Sequence, residues 1–483
     1  MSARRFVLLL SSVGVAVAAW TSLAVDARAS YGSRTTGDEP HYLLTAVSLA
    51  TDGDITTGDE LDEQAYRPFH EDRLWNQTTP LADGRRVEPH DPLLPAILAA
   101  PVAIGGWIAG KLTLAVMAGA LAASMVWIAV RRFDVPGGVA TVTVLSFSLA
   151  MPLSSYATQI YPEMPAALAV VMAVGALTGS FGRRAIVVWL AVLITMPWLS
   201  VKYVPVALVI VALGLVRLWR RRAGPALIAS LLVLAAAGAT YLLAHQLMYG
   251  GWTVYAAGDH FVEGGQLSVM GYEANYPGRS IRLIGLLVDR RFGVVAWAPV
   301  YLLAVPALAA LTRRRPSGWP ALVLPLAAGW LNATFVAQTM HGWWSPGRQL
   351  VVVLPCVVIA TAWWVARVRA VLWPVIALGA VGVVSWMWLV VEASTDRRTL
   401  VVDFFETANP VYRAWSAGLP DGRLDTAADV VGFAVSAVVL ISLAVAGWRS
   451  VAESRPDVAP VITSLKPMEE QTPCPPKQTV SVS

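Results

Sequence analysis

Residues Pro225–Ala244 read PALIASLLVLAAAGATYLLA, twenty residues without a charge. Coiled as an α-helix, a stretch of that length spans about 30 Å, the thickness of the hydrocarbon core of a bilayer. Uncharged blocks of the same kind lie at Gly137–Met151, Ala185–Met196, Leu350–Ala366 and Val430–Gly447, separated by short charged punctuation. Over all 483 residues, 56% are hydrophobic and 14% charged, with a mean hydropathy of +0.59. A soluble domain carries about 25% charged residues; this chain could not cover its own surface with polar groups. The fold class is all-α, a polytopic transmembrane helical bundle. A soluble globular enzyme, a disulfide scaffold and a disordered protein are excluded.

The 36 basic residues exceed the 31 acidic ones. The arginines cluster in short loops between apolar runs, where cytoplasmic loops carry them, so the excess does not point to nucleic acid. Cys356 sits inside an apolar run and Cys474 near the end of the chain; their spacing suits neither a disulfide nor a metal. At the start, Arg4 and Arg5 precede an apolar stretch from Phe6 to Val25, then Ala27-Arg28-Ala29, a small-residue pattern like a signal cleavage site. The stretch is longer than the apolar region of a signal peptide, so an uncleaved first span is expected.

A simple hydropathy count gives about thirteen segments, which would place most arginine pairs outside. The segment from Leu93 carries Pro95 and Pro101 and reads better as an interfacial helix over 93–110. About twelve spans then remain. Arg131-Arg132, Arg183-Arg184, Arg217 to Arg222, Arg313 to Arg315, Arg367/Arg369 and Arg449/Arg455 all become cytoplasmic, as do both termini. The membrane domain is expected over 1–450, with a first external loop over 26–92. A proline-rich, disordered cytoplasmic tail follows over 451–483.

The outer side collects the chemically interesting residues. Gly37-Asp38-Glu39-Pro40-His41 opens a helix in the first loop. Asp38 can cap it and Glu39 suits its dipole, but His41 is left over. His90-Asp91-Pro92 leads into the interfacial segment, where Asp91 can cap and His90 is unexplained. Tyr161-Pro162-Glu163 opens the next inward span, and Glu163 again suits a helix start or faces the same cavity as Asp38. Lys202 either snorkels or holds an anion. The loop His341-Gly342-Trp343-Trp344-Ser345-Pro346-Gly347-Arg348 pairs interfacial tryptophans, including Trp344, with an external arginine, and Arg290-Arg291 forms a second cationic site. Arg suits phosphate recognition, so an anionic headgroup would explain both.

Taken together, the acidic pair Asp38-Glu39, the helix start His90-Asp91-Pro92-Leu93-Leu94, Tyr161-Pro162-Glu163 and Gly347-Arg348 resemble the GT-C glycosyltransferases, of the protein mannosyltransferase and aminoarabinose transferase kind. These are polytopic enzymes that use lipid-linked sugars at the outer membrane face. The resemblance runs from about residue 5 to 450, by order and sidedness of the motifs, and is best over the first 200 residues. It implies that Asp38 is the catalytic base with Glu39 beside it. It also implies a polyprenyl-phosphate sugar donor, hexosyl or pentosyl, and a glycan, lipid or protein acceptor. His41, His90, Glu163, Lys202, Arg291, His341, Trp344 and Arg348 are the expected substrate-binding residues. A divalent metal on Asp38, Glu163 or the histidines stays open, because their distances are not fixed by sequence. The rival reading is a transporter or flippase for a lipid-linked or anionic substrate, kept open by Pro197, Pro205 and His245; a non-catalytic membrane scaffold is the third. Transporters place ionisable residues near the bilayer midplane, whereas here they gather at external helix ends.

Overall fold

The computed structural model describes residues 2–261, 275–337 and 339–451. Of the expected tail only Val451 falls among them, and the loop from Tyr249 to Arg291 is described in part. The helices that build the site are α1 (Ala3–Ser22), α2 (Glu39–Thr51), α3 (Gly58–Asp62), α4 (Leu93–Arg132), α5 (Gly137–Ser148), α6 (Glu163–Thr178), α7 (Arg183–Leu199), α8 (Val204–Arg220), α9 (Gly224–Tyr249), α10 (Ala304–Arg314), α11 (Pro320–Leu331), α12 (Leu354–Arg367), α13 (Leu372–Ser394) and α14 (Ala427–Ser450). Among the described residues there are four isolated β-bridges and no strand.

Six helices are long and apolar enough to cross a membrane: α1, α4, α9, α14, and α8 and α13 with the turns before them. Four shorter apolar helices, α5, α6, α11 and α12, lie among them. Among the described residues these are fewer than the expected total of about twelve. Helices α9 and α14 have only 11% of their apolar stretches buried, with Leu231, Leu232, Val431, Val438 and Ile441 facing outward. Such helices are stable only where the surroundings are apolar too, which is what a bilayer provides. By contrast α12 is buried from Leu354 through Val365 on every side, as expected of a helix that is apolar all round.

Two glycine positions set the frame around the site. A Cβ on Gly119 of α4 would lie 2.3 Å from the carbonyl oxygen of Gly14 in α1, so the two helices touch backbone to backbone. Within α4 the helical path breaks at Gly105 and Gly106, the latter at φ +62°, ψ −160°, a region only glycine occupies readily. The break divides Leu93–Ile104 from the longer run that ends at Arg131-Arg132. It falls inside the 93–110 segment expected to be interfacial, so the first part takes its own direction.

Helix α2 lies along α4 with Glu39 to Ala46 buried, which fixes Asp38 at the mouth of the bundle. Glu163 is the first residue of α6 after Pro162, Lys202 lies in the turn before α8, and Arg348 follows Gly347 just before α12. Gly347 has φ +77°, and a Cβ there would strike Val294 and Pro152. Four helix starts, distant in sequence, therefore end at one place.

Candidate active site

At that place the Arg348 guanidinium bridges two carboxylates. Its Nη2 donates to Asp38 Oδ2 at 2.9 Å and its Nε to Glu163 Oε1 at 3.0 Å. The Lys202 ammonium donates to the same Glu163 oxygen at 2.6 Å. The guanidinium also lies 4.1 Å from the centre of the Tyr161 ring and 5.2 Å from that of Trp344, so aromatic faces hold its plane. Tyr161 is fixed in turn by its hydroxyl, which donates to Thr36 O at 3.0 Å. Side-chain exposure separates the four charges: Glu163 is 1% exposed and Arg348 11%, but Asp38 is 24% and Lys202 30%. A carboxylate and an ammonium therefore face open space on either side of a buried charge pair. A narrow cleft beside them is lined by Lys202, Tyr203, Asn332, Arg348 and Gln349.

Asp38 stands at the N-cap of α2, yet its side chain makes no capping hydrogen bond. Its Oδ2 goes to Arg348, and Oδ1 has only the Gln77 amide, at 3.4 Å. Burial opposes its charge, but Arg348, and after it His90, hold the carboxyl far below the ordinary carboxylate range.

Glu39 goes the other way. It is wholly buried, with Oε2 accepting from Ile160 N at 2.8 Å. Burial pushes its pKa up to about 7, against the pull of Lys111 and the amides of Ile160 and Thr36. Helix geometry turns adjacent residues about 100° apart, so Asp38 and Glu39 do not share a face. The Glu39 carboxylate ties α2 to the chain before α6.

The histidines line the same wall without meeting the Asp38 carboxyl. His41 is buried with Nδ1 2.8 Å from Glu88 Oε2, and His90 stacks on Tyr42 at 4.4 Å. Desolvation lowers the His90 pKa despite the Asp38 charge. Asp91 is no cap: its carboxylate accepts from Tyr241 Oη at 2.8 Å and Val201 N at 3.2 Å and faces His245 Nε2 at 3.2 Å. His245 thus fastens the end of α9 to the chain before α4.

Two expected residues stand elsewhere. Arg291 faces Asp421 at 3.5 Å and lies over Phe405, and His341 Nε2 faces Asp289 Oδ2 at 3.5 Å. Although His341 shares a loop with Trp344 and Arg348, its ring packs on Phe292 instead. Both are held by acids that their own segments do not contain. Sequence reasoning did not single out Glu88, Gln77 and Asn332; the glutamate two residues before His90 was the one visible signal. Asp38, Glu163 and the histidines do not form a three-donor metal cluster among the described residues; the group that does is Asp52, Asp59 and Glu60.

No protein-family model matches the sequence, and no curated protein does. Solved structures do. ArnT from Cupriavidus metallidurans bound to undecaprenyl phosphate aligns over 93% of this chain and 76% of its own, with a TM-score of 0.54 at 16% identity. The apo form of ArnT aligns over 93% and 75%, with a TM-score of 0.50 at 18% identity. The chain shares its fold with ArnT. At such identity the GT-C likeness speaks for the path of the chain; what the four converging charges do rests on their own geometry.

Proposed function

We propose that the protein is an integral membrane glycosyltransferase that moves a sugar from a polyprenyl-phosphate donor to a hydroxyl acceptor at the external face, with inversion. The acceptor is a cell-envelope glycan, lipid or protein. The observation that carries this reading is the pairing of a half-open carboxylate, Asp38, with a half-open ammonium, Lys202, across the buried Arg348–Glu163 pair. ArnT, bound to undecaprenyl phosphate on the same fold, supports the choice of donor.

The chemistry divides between the two open charges. Asp38 Oδ1, free but for Gln77, takes the proton of the acceptor hydroxyl. That oxygen attacks the anomeric carbon while the bond from carbon to phosphate oxygen breaks, and the electron pair leaves on the phosphate. Lys202 and Arg348 receive the charge as preorganised cations. One displacement inverts the configuration. Glu163 touches no substrate in this scheme; with one oxygen on both cations, it positions them.

Donor binding also tunes the base. While Arg348 holds Asp38, its carboxylate is a poor proton acceptor. A phosphate that draws the guanidinium away removes that pull and moves the base towards working pH. Helix α4 supports the external placement: from the break at Gly106 to Arg131-Arg132 the helix runs ~39 Å, long enough to put those arginines on the opposite membrane face. With about twelve spans, both termini are cytoplasmic.

The test uses membranes containing the native protein or Asp38→Asn at matched abundance, supplied with a panel of radiolabelled polyprenyl-phosphate sugars. Label should enter a lipid, glycan or protein fraction with the native protein and fall by about 10²–10⁴-fold with the variant. Equal labelling removes Asp38 from the mechanism, and transfer from no donor moves the reading to a transporter.

A further inference from the structure

The corner that joins α2 to α3, residues Asp52–Glu63, carries six carboxylates and no basic residue. Asp54 is used up in the turn: its Oδ1 accepts from Thr56 N at 2.8 Å, Thr56 Oγ1 at 2.6 Å and Ser48 Oγ at 3.1 Å. Asp59 and Glu60 are not, and Asp52 accepts from the neighbouring Thr51 Oγ1 at 2.9 Å. One oxygen from each lies within 4.8 Å of the other two. Glu60 is only 5% exposed, and neither of its carboxylate oxygens has a hydrogen-bond partner. Asp52 also stands at the C-terminus of α2, where the carbonyl ends add further negative potential. A carboxylate taken out of water with no donor and no cation is costly, and two neighbouring carboxylates aggravate it.

We propose that Asp52, Asp59 and Glu60 bind a calcium ion that fastens α2 to α3. Calcium is a hard cation that takes oxygen ligands at about 2.3–2.6 Å, so two oxygens on one ion lie at most about 5 Å apart. Magnesium, at about 2.1 Å, would demand a tighter cluster and keeps more water. Two exposed carboxylates leave room for the water that completes a calcium shell, while the buried Glu60 gives the ion a fixed anchor.

The ion's position ties it to the site. Thr57, between Asp52 and Asp59, donates from Oγ1 to Glu88 Oε1 at 2.9 Å, and the other oxygen of Glu88 faces His41. Fastening the corner therefore steadies Glu88 and His41 on the wall beside Asp38.

The full-length protein in detergent, stripped with a chelator, is titrated with calcium chloride. Bound ⁴⁵Ca and the unfolding temperature are both read. One ion per chain should bind with a dissociation constant in the range of extracellular modules, about 10⁻⁴–10⁻³ M or tighter. Saturation should raise the unfolding temperature by several degrees, as for any ligand of the native state. Glu60→Gln should abolish both effects. Asp52→Asn with Asp59→Asn, which alters only exposed side chains and so leaves packing intact, should abolish them too if Glu60→Gln does not fold. No binding at 10 mM calcium, equal binding by the native protein and the double variant, or binding of magnesium but not calcium would overturn the assignment.

Discussion

Two clusters at the ends of these helices look alike in composition and differ in how their carboxylates are used. Around Arg348, Asp38 stands at a helix N-cap and caps nothing, and Glu163 leaves one buried oxygen without a partner. Around His341, the acids serve the backbone. Asp289 Oδ1 accepts from Arg291 N and Phe292 N and Oδ2 from Gly422 N, while Asp429 accepts from Asp421 N and closes a capping box with Thr426. The hydrogen bond with His341, and after it those from the Phe292 and Gly422 amides, outweigh the cost of burial and keep the Asp289 pKa low. A carboxylate satisfied by amides holds loops together. One satisfied only by other side chains can be released by a substrate that offers a better partner. The difference separates architecture from chemistry where residue types do not.

Removing one cation from each cluster gives the widest contrast. Arg348→Ala leaves Asp38 and Glu163 short of a partner and is expected to reduce sugar transfer by 100-fold or more. Arg291→Ala should leave transfer within about twofold, because Arg291 is about a third exposed and its partner is Asp421, not Asp38 or Glu163. Comparable losses in a labelled-sugar assay would erase the distinction. Removing one acid from each tests the same idea in stability. Asp289→Ala orphans three amides and should cost about 3 kcal/mol in denaturant unfolding. Asp38→Asn leaves every backbone amide paired and should cost less than Asp289→Ala.

A smaller effect concerns pH. Burial makes the folded protein hold a proton on Glu39 up to about pH 7, whereas an unfolded chain gives it up near the ordinary carboxylate value. Between the two values the folded state binds more protons, so this group's contribution to stability is full below about pH 4.5 and is lost as pH rises to 7. Glu39→Gln should flatten that decline in a series of unfolding temperatures. An unchanged slope would mean that Glu39 is ionised in the fold.

Much of the site was legible because each of its charges stands at a helix start on the side that the arginine bias marks as external. Asp38, Glu163, Lys202 and Arg348 were named from four separate segments, and they meet. The fold class was legible from uncharged blocks such as Pro225–Ala244. What sequence could not reveal is pairing through space. Arg291 looks like Arg348 until Asp421 is seen beside it, and His41 looks like a partner of Asp38 until Glu88 is. Glu39 shows the same limit along the chain: it neighbours Asp38 in sequence, yet its carboxylate reaches Ile160 N while that of Asp38 reaches Arg348.

The break in α4 carries a further consequence. Gly106 is an elbow set by one hydrogen atom, since any side chain at φ +62°, ψ −160° would be driven out of that conformation. The short arm before it begins beside His90 and Asp91, and the long arm beyond it is fixed against α1 through the contact of Gly119 with Gly14. With the long arm clamped, a change of angle at the elbow can move only the short one. The wall of the candidate site therefore takes its aim from a residue that bears no functional group.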